Sequence, residues 1–202
     1  MFKLISSPVT GALLALPCLA AAPALAAAPV TFVSGKGNDA GTCASPANPC
    51  RSFKFALGQT STSGEIKALG PADYGSITIT KSVSITGVEG AGIDISAGNA
   101  ITINAGPNDT VSLSHLILDG FNTALRGVML TSGGSLIITD SIIRNFSTRG
   151  VTLQPQGTTA FDIADTTVSR TGAAIEVQPQ QAGKAFGTFT HLSMNDSGHH
   201  PL

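Results

Sequence analysis

The stretch IITDSIIRN, residues 137–145, recurs along the chain with changed letters and an almost fixed step. LSHLILDG begins at Leu113, ITDSIIRN at Ile138, IADTTVSR at Ile163 and FTHLSMND at Phe189, so the steps are 25, 25 and 26 residues. A period of that length marks a repeat architecture, because each unit is too small to bury an apolar face without its neighbours. Within each repeat the apolar residues come in short runs rich in Ile, Val and Thr, divided by Gly, Asn and Ser, which is strand and turn chemistry. Several short strands per repeat are too many for a helical array. The chain is therefore expected to be an all-β solenoid of about five or six coils, each burying its inward side chains on the next.

Three columns define that inward face. One holds Leu113, Ile138, Ile163 and Phe189, and a second holds Leu118, Ile143, Val168 and Met194. A third, with slightly shorter steps, holds Ile101, Val128, Val151 and Ile175, each followed two residues later by Ile103, Leu130, Leu153 and Val177. Upstream, VTFVSG (30–35) reads as a first strand, and Glu65–Leu69, Ser76–Thr80 and Val83–Thr86 as further ones. Between them SFKFALGQT places Phe53, Ala56, Leu57 and Thr60 at helical spacing. A short helix is expected there, covering an open end of the stack.

Residues 1–26 read differently. Lys3 is followed by small and apolar residues ending in Ala24-Leu25-Ala26, the pattern of a secretory signal peptide with an A-x-A cleavage site. Pro17 and Pro23 interrupt the run, which falls short of the roughly 20 residues a membrane span needs. One domain is expected over 27–202, with an N-terminal cap and cysteine loop at 27–63 and coils over 64–198. Losing Lys3 leaves 10 basic against 12 acidic residues, a net charge of −2, which is no footprint for nucleic acid. Cys43 and Cys50 remain, and in an exported chain they most simply form a disulfide. The expected location is the periplasm or outside the cell.

The periodicity, together with GEIKALGPADYGSITITKSVSITG (64–87), resembles the right-handed parallel β-helix of the pectin-lyase-like superfamily. That family includes pectate lyases, polygalacturonases and pectin methylesterases, and its members commonly carry a short helix over the N-terminal end of the coils. The resemblance implies the same fold with SFKFALGQT as the capping helix. The enzymes' motifs are a separate matter. Gly70-Pro71-Ala72-Asp73-Tyr74 matches the methylesterase-like G-x-Y-x-E only in part, with Ser76 where the acid would stand. The paired aspartates with a downstream G-H-G, and the W-x-D-H and R-x-P-x-x-R segments, are missing from the sequence.

The candidate site is the column just past the first apolar one: His115, Asp140, Asp165 and His191. Stacked about 4.8 Å apart, as neighbouring strands are, these side chains are catalytic candidates. Asp140, Asp165 and His191 among them could bind a divalent metal such as calcium. The competing reading is a coil corner, where Asp, Asn and His serve turn geometry. Arg126 and Arg149 stack two like charges able to grip an acidic sugar or sulfate through bidentate bonds, and Arg144 is a third substrate-binding candidate. Asp119 below Arg144 reads as a structural ion pair. Asn108, Asn145 and Asn195 match the N-glycosylation acceptor pattern, as chance allows in such a composition. The function expected is a binding or structural role at the cell envelope toward polysaccharide. The alternative is a metal-assisted polysaccharide lyase or glycoside hydrolase. The last coil, lacking a visible cover, is expected to offer strand edges for self-association.

Overall fold

The computed structural model describes residues 27–195; residues 1–26, where a signal peptide is expected, and residues 196–202 lie outside the described residues. The chain enters with β1 (Ala28–Val33), passes through the cysteine loop, and forms α1 (Phe53–Gln59). Five turns follow: β2 (Thr60–Ala68), β3 (Ala72–Asp73) and β4 (Ile77–Ile79); β5 (Val83–Thr86), β6 (Ala91–Asp94) and β7 (Asn99–Asn104); β8 (Thr110–Ser114), β9 (Ile117–Asp119) and β10 (Arg126–Ser132). The fourth turn is β11 (Ser135–Thr139) and β12 (Ile142–Leu153), the fifth is β13 (Thr158–Ala164) and β14 (Thr167–Val177), and β15 (Lys184–Thr190) and β16 (Ser193–Asn195) begin another. This is an all-β parallel solenoid with one helix among the described residues.

Three walls run the length of the stack. The first is a parallel sheet in the order β1-β2-β5-β8-β11-β13-β15. The second is built by β3, β6, β9, the early part of β12 and β14, and β16. The third is built by β4, β7, β10 and the later part of β12 and β14. The short strands expected in every wall become single strands of 12 and 11 residues in β12 and β14. There the strand itself continues through the bend between the second and third walls, with a register shift between Phe146 and Arg149.

The expected columns stand in register. Leu113 pairs with Ile138, Ile138 with Ile163 and Ile163 with Phe189. Leu118, Ile143, Val168 and Met194 do the same in the second wall, and Ile101, Val128, Val151 and Ile175 in the third. Each mid-stack member lies between two like residues and is sealed from water, as Ile101, Val128 and Val151 are. Fully burying such a side chain contributes about 1.5–3 kcal/mol before conformational entropy is charged against it.

α1 begins where the sequence allows a helix to begin. Ser52 is its N-cap and accepts from Phe55 N, while Asp39 in the cysteine loop holds the backbone N–H of Arg51 and of Ser52 and the Ser52 hydroxyl. Phe53, Ala56 and Leu57 are buried, and the helix packs against β1, β2 and β4. Phe53 meets the ring of Tyr74, centroids 4.8 Å apart. Tyr74 is buried, with its hydroxyl donating to Gly70 O, so the lone tyrosine is core and no sugar platform. Cys43 and Cys50 lie at disulfide distance, Cα atoms 5.3 Å apart, a pair that fits an oxidising compartment. No helix among the described residues is long and apolar enough to cross a membrane.

Candidate functional site

The column His115, Asp140, Asp165 and His191 lies at the bend between the first and second walls. All four residues have left-handed backbone, with φ of 56°, 49°, 48° and 48°. That region is costly for most side-chain-bearing residues and less so for Asp, Asn and His. Their backbone N–H groups bind the coil above: His115 to Thr139 O, Asp140 to Ala164 O and Asp165 to Thr190 O. Directly inside the bend, the buried Ser141 and Thr166 hydroxyls donate to Thr139 O and Ala164 O. The residue types at this column thus have a backbone reason to be there. Asp165 and His191 come together, Oδ1 to Nδ1 3.3 Å, with side chains 56% and 78% exposed. Among the described residues no group of three or more His, Cys, Asp or Glu converges as a metal site would.

A denser cluster occupies the second wall. Asp119 is nearly buried and accepts from Arg144 Nε at 2.7 Å, Asn145 Nδ2 at 2.8 Å and Phe121 N at 3.0 Å. Arg170 Nε in turn donates to Asn145 Oδ1 at 2.6 Å. Burial pushes the Asp119 carboxyl up, but the Asn145 amide, the Phe121 N–H and Arg144 outweigh it and hold the group below its ordinary range. One coil earlier, Asp94 pairs with Asp119 in register. Its carboxyl is pushed up by burial and by the neighbouring charges of Asp73 and Asp119, with Arg144 opposing. Two adjacent carboxyls displaced in opposite directions are the pattern of an acid beside a base. Asp119, however, is saturated with donors and nearly closed to water. Arg144, a substrate-binding candidate, already has its Nε on Asp119.

The third wall carries the other two arginines. Asn99, Arg126 and Arg149 stand in register on three successive coils. The next outward row is Thr78, Thr102, Met129, Thr152 and Glu176. Arg149 pairs with Glu176, Nε to Oε2 2.7 Å, without the N–H lying in line with that oxygen. Arg126 makes no ion pair among the described residues. Four buried side-chain polar atoms there lack a hydrogen bond: Asn99 Oδ1, Arg126 Nε, Arg149 Nε and Thr152 Oγ1. A hollow of ≈ 200 Å³ continues the wall toward α1, lined by Lys54, Ser76, Ile77, Thr78, Asn99 and Thr102.

Compared with family models, curated proteins and solved structures, the chain matches none. The geometry of the walls is then the whole basis for a functional reading. Sequence reasoning found Arg126 and Arg149 but missed Asp94, Asn99 and Thr152. The signal for Asp94 was present: it lies 25 residues before Asp119, one full repeat, in a coil whose apolar spacing is less regular. Nothing in the sequence marks Thr152 apart from its place between Val151 and Leu153. Its burial comes from what neighbouring coils lay over the outer face.

Proposed function

We propose that this chain is an exported right-handed parallel β-helix of the pectin-lyase-like kind, with α1 as its N-terminal cap and a non-catalytic binding or structural role toward polysaccharide at the cell envelope. The observation that carries this reading is the outer surface of the first wall. Thr86, Ser114 and Thr139 form an in-register row of hydroxyls on successive coils, parallel to Ser84 and Ser112. Just past the third wall, Gln154 and Gln178 add a separate polar rung, with a coil-to-coil amide bond of 3.3 Å. Polar groups repeating at the strand spacing of about 4.8 Å present a regular ladder to a polymer whose own hydroxyls repeat. The signal-like segment and the cysteine pair support an exported location, periplasmic or secreted. Self-association through the exposed last coil belongs to the same proposal, and a monomer in sedimentation at high concentration argues against it.

The test is retention in affinity electrophoresis through gels containing neutral or acidic polysaccharides. Retardation by at least one polymer is expected; migration unchanged by every polymer sinks the reading. A second reading, polysaccharide lyase or glycoside hydrolase, is favoured by the opposed carboxyls of Asp94 and Asp119. Its metal-assisted form uses the column His115, Asp140, Asp165 and His191. Release of new reducing or unsaturated ends from an acidic polymer, lost in Asp94→Asn, would move that reading ahead. For the metal, a melting midpoint raised by calcium in the wild type and not in an Asp140→Ala/Asp165→Ala variant is the deciding result.

A further inference from the structure

Buried polar atoms in folded proteins are almost always hydrogen-bonded, so each exception needs a reason. The exceptions among the described residues gather at one place, Asn99, Arg126, Arg149 and Thr152 on three adjacent coils of the third wall. Thr152 points away from the core between Val151 and Leu153, yet has no exposed surface at all. Arg126 and Arg149 are one coil apart, close enough for two guanidinium charges to repel unless an anion lies against them. Glu176 supplies one carboxylate to Arg149 from the coil above. Arg126 is left with none.

We propose that this patch is an anion site, in which a carboxylate or sulfate group carried by an acidic polysaccharide bridges Arg126 and Arg149. The inference rests on the polysaccharide reading above and gives that polymer its charge. Glu176 bounds the site on the C-terminal side, so the polymer leaves in the other direction, over Asn99 and into the hollow beneath Lys54. Lys54 is exposed on α1 and supplies a third positive charge along that path. Asn99, with its buried Oδ1 left without a donor, lines that hollow. Arginine suits the clamp because its planar fork meets a carboxylate or sulfate with two parallel bonds, which lysine does not offer.

Calorimetric titration of the full chain at low salt with three probes tests this: a galacturonate oligomer, a sulfated galactan oligomer and a neutral galactan oligomer. Binding of an acidic probe is expected, weakened roughly tenfold or more in Arg126→Ala/Arg149→Ala. Arg126→Lys should weaken it less, and Glu176→Gln, which frees Arg149, should tighten it. Preference for the uronate or for the sulfated probe names the source of the anion, and either supports the site. Circular dichroism checks the fold of each variant, and the single change Arg126→Gln replaces the double one if that fails to fold. Undiminished binding of acidic probes in a folded variant, or binding of the neutral probe alone, overturns the anion site and leaves the polysaccharide reading standing. No binding of any probe overturns both.

Discussion

The first complete coil and the last described one use the same kinds of inward residue, yet Ile66 and Ile79 are sealed from water while Phe189 and Met194 are 47% and 57% exposed. The first has α1 and β1 on one side and β5 and β7 on the other. β15 and β16 have a described coil on one side only. Composition does not separate the two, since a phenylalanine is at least as apolar as an isoleucine. In a solenoid the energy of a side chain is set by how many coils lie against it, because each repeat contacts only its neighbours. Stability should therefore fall from the middle of the stack to its last coil.

Truncation of inward side chains tests this most strongly. Ile101→Ala, between Ile77 and Val128, is expected to cost about 2–5 kcal/mol, the range for large-to-small changes in a close-packed core. Phe189→Ala removes a larger side chain but one already half in water, and should cost roughly 1 kcal/mol. Urea unfolding of the two variants gives the comparison directly, with equal losses as the result that breaks it. Hydrogen exchange sharpens it: amides of β15 and β16 should exchange by local opening well before those of β7 and β10.

Two glycines carry the same comparison at the backbone. A Cβ on Gly92 would stand 1.8 Å from Ile117 O, and one on Gly187 1.9 Å from Phe161 O, so in both places the coils approach too closely for any side chain. Gly92 is buried with a strand on each side. Gly187 lies in β15, which has one strand partner among the described residues and can shift outward. Gly92→Ala should cost about 1–3 kcal/mol, the usual penalty for overpacking, and Gly187→Ala clearly less. Thermal melts of the pair check the order.

The contrast also bears on what the sequence could reveal. The columns of Leu113, Leu118 and Ile101 were legible because inward residues repeat with the coil, and the register confirms each pairing. The helix over 53–59 was legible from the spacing of Phe53, Ala56 and Leu57. The extent of burial was not, because the same apolar letter reads alike in a covered coil and a bare one. The candidate site divides the same way. Arg126 and Arg149 stood out as a repeated Arg-Gly-Val, whereas Thr152 acquires its character only when Glu176 and Met129 flank it from adjacent coils. Asp119 looked like a surface pair with Arg144. Its near-complete burial depends on the bend carrying Asn145 and Phe121, which no column spacing encodes.

Acid titration separates the early coils from the last by a smaller margin. Folding holds the Asp119 carboxyl below its ordinary value of 3.8, so its contribution is complete above that value and is lost as pH falls through the lower folded one. Asp94 works the other way. Its folded value is raised, so the ionised form weakens the fold at neutral pH, and stability recovers as pH falls through the raised value. Asp94→Asn should therefore raise the melting midpoint at pH 7 only slightly, because the side chain is exposed and water screens its neighbours' charges, with the gain vanishing in acid. Asp165→Asn, at an exposed pair with His191, should leave the midpoint nearly unchanged, as surface ion pairs contribute roughly 0–1 kcal/mol. A larger loss from Asp165→Asn than from Asp119→Asn would reverse the gradient along the stack.

The smallest effect is expected where position in the stack should cease to matter. Asp140 and Asp165 occupy equivalent bends with φ of 49° and 48°, and the cost of a left-handed residue is local to its own Cβ and carbonyl. Glycine removes that cost but gains freedom in the unfolded chain, and the two terms are each about 1 kcal/mol or less. Asp140→Gly and Asp165→Gly should thus both change stability by only a few tenths of a kcal/mol, while Asp140→Val, with a branched side chain in the same backbone, should cost about 1–2 kcal/mol. Equal small changes at the two bends would place the role of this column in the backbone. If Asp140→Gly cost several times more than Asp165→Gly, the Asp140 carboxylate itself would have to hold something in the middle coils, and a bound cation would be the first partner to seek.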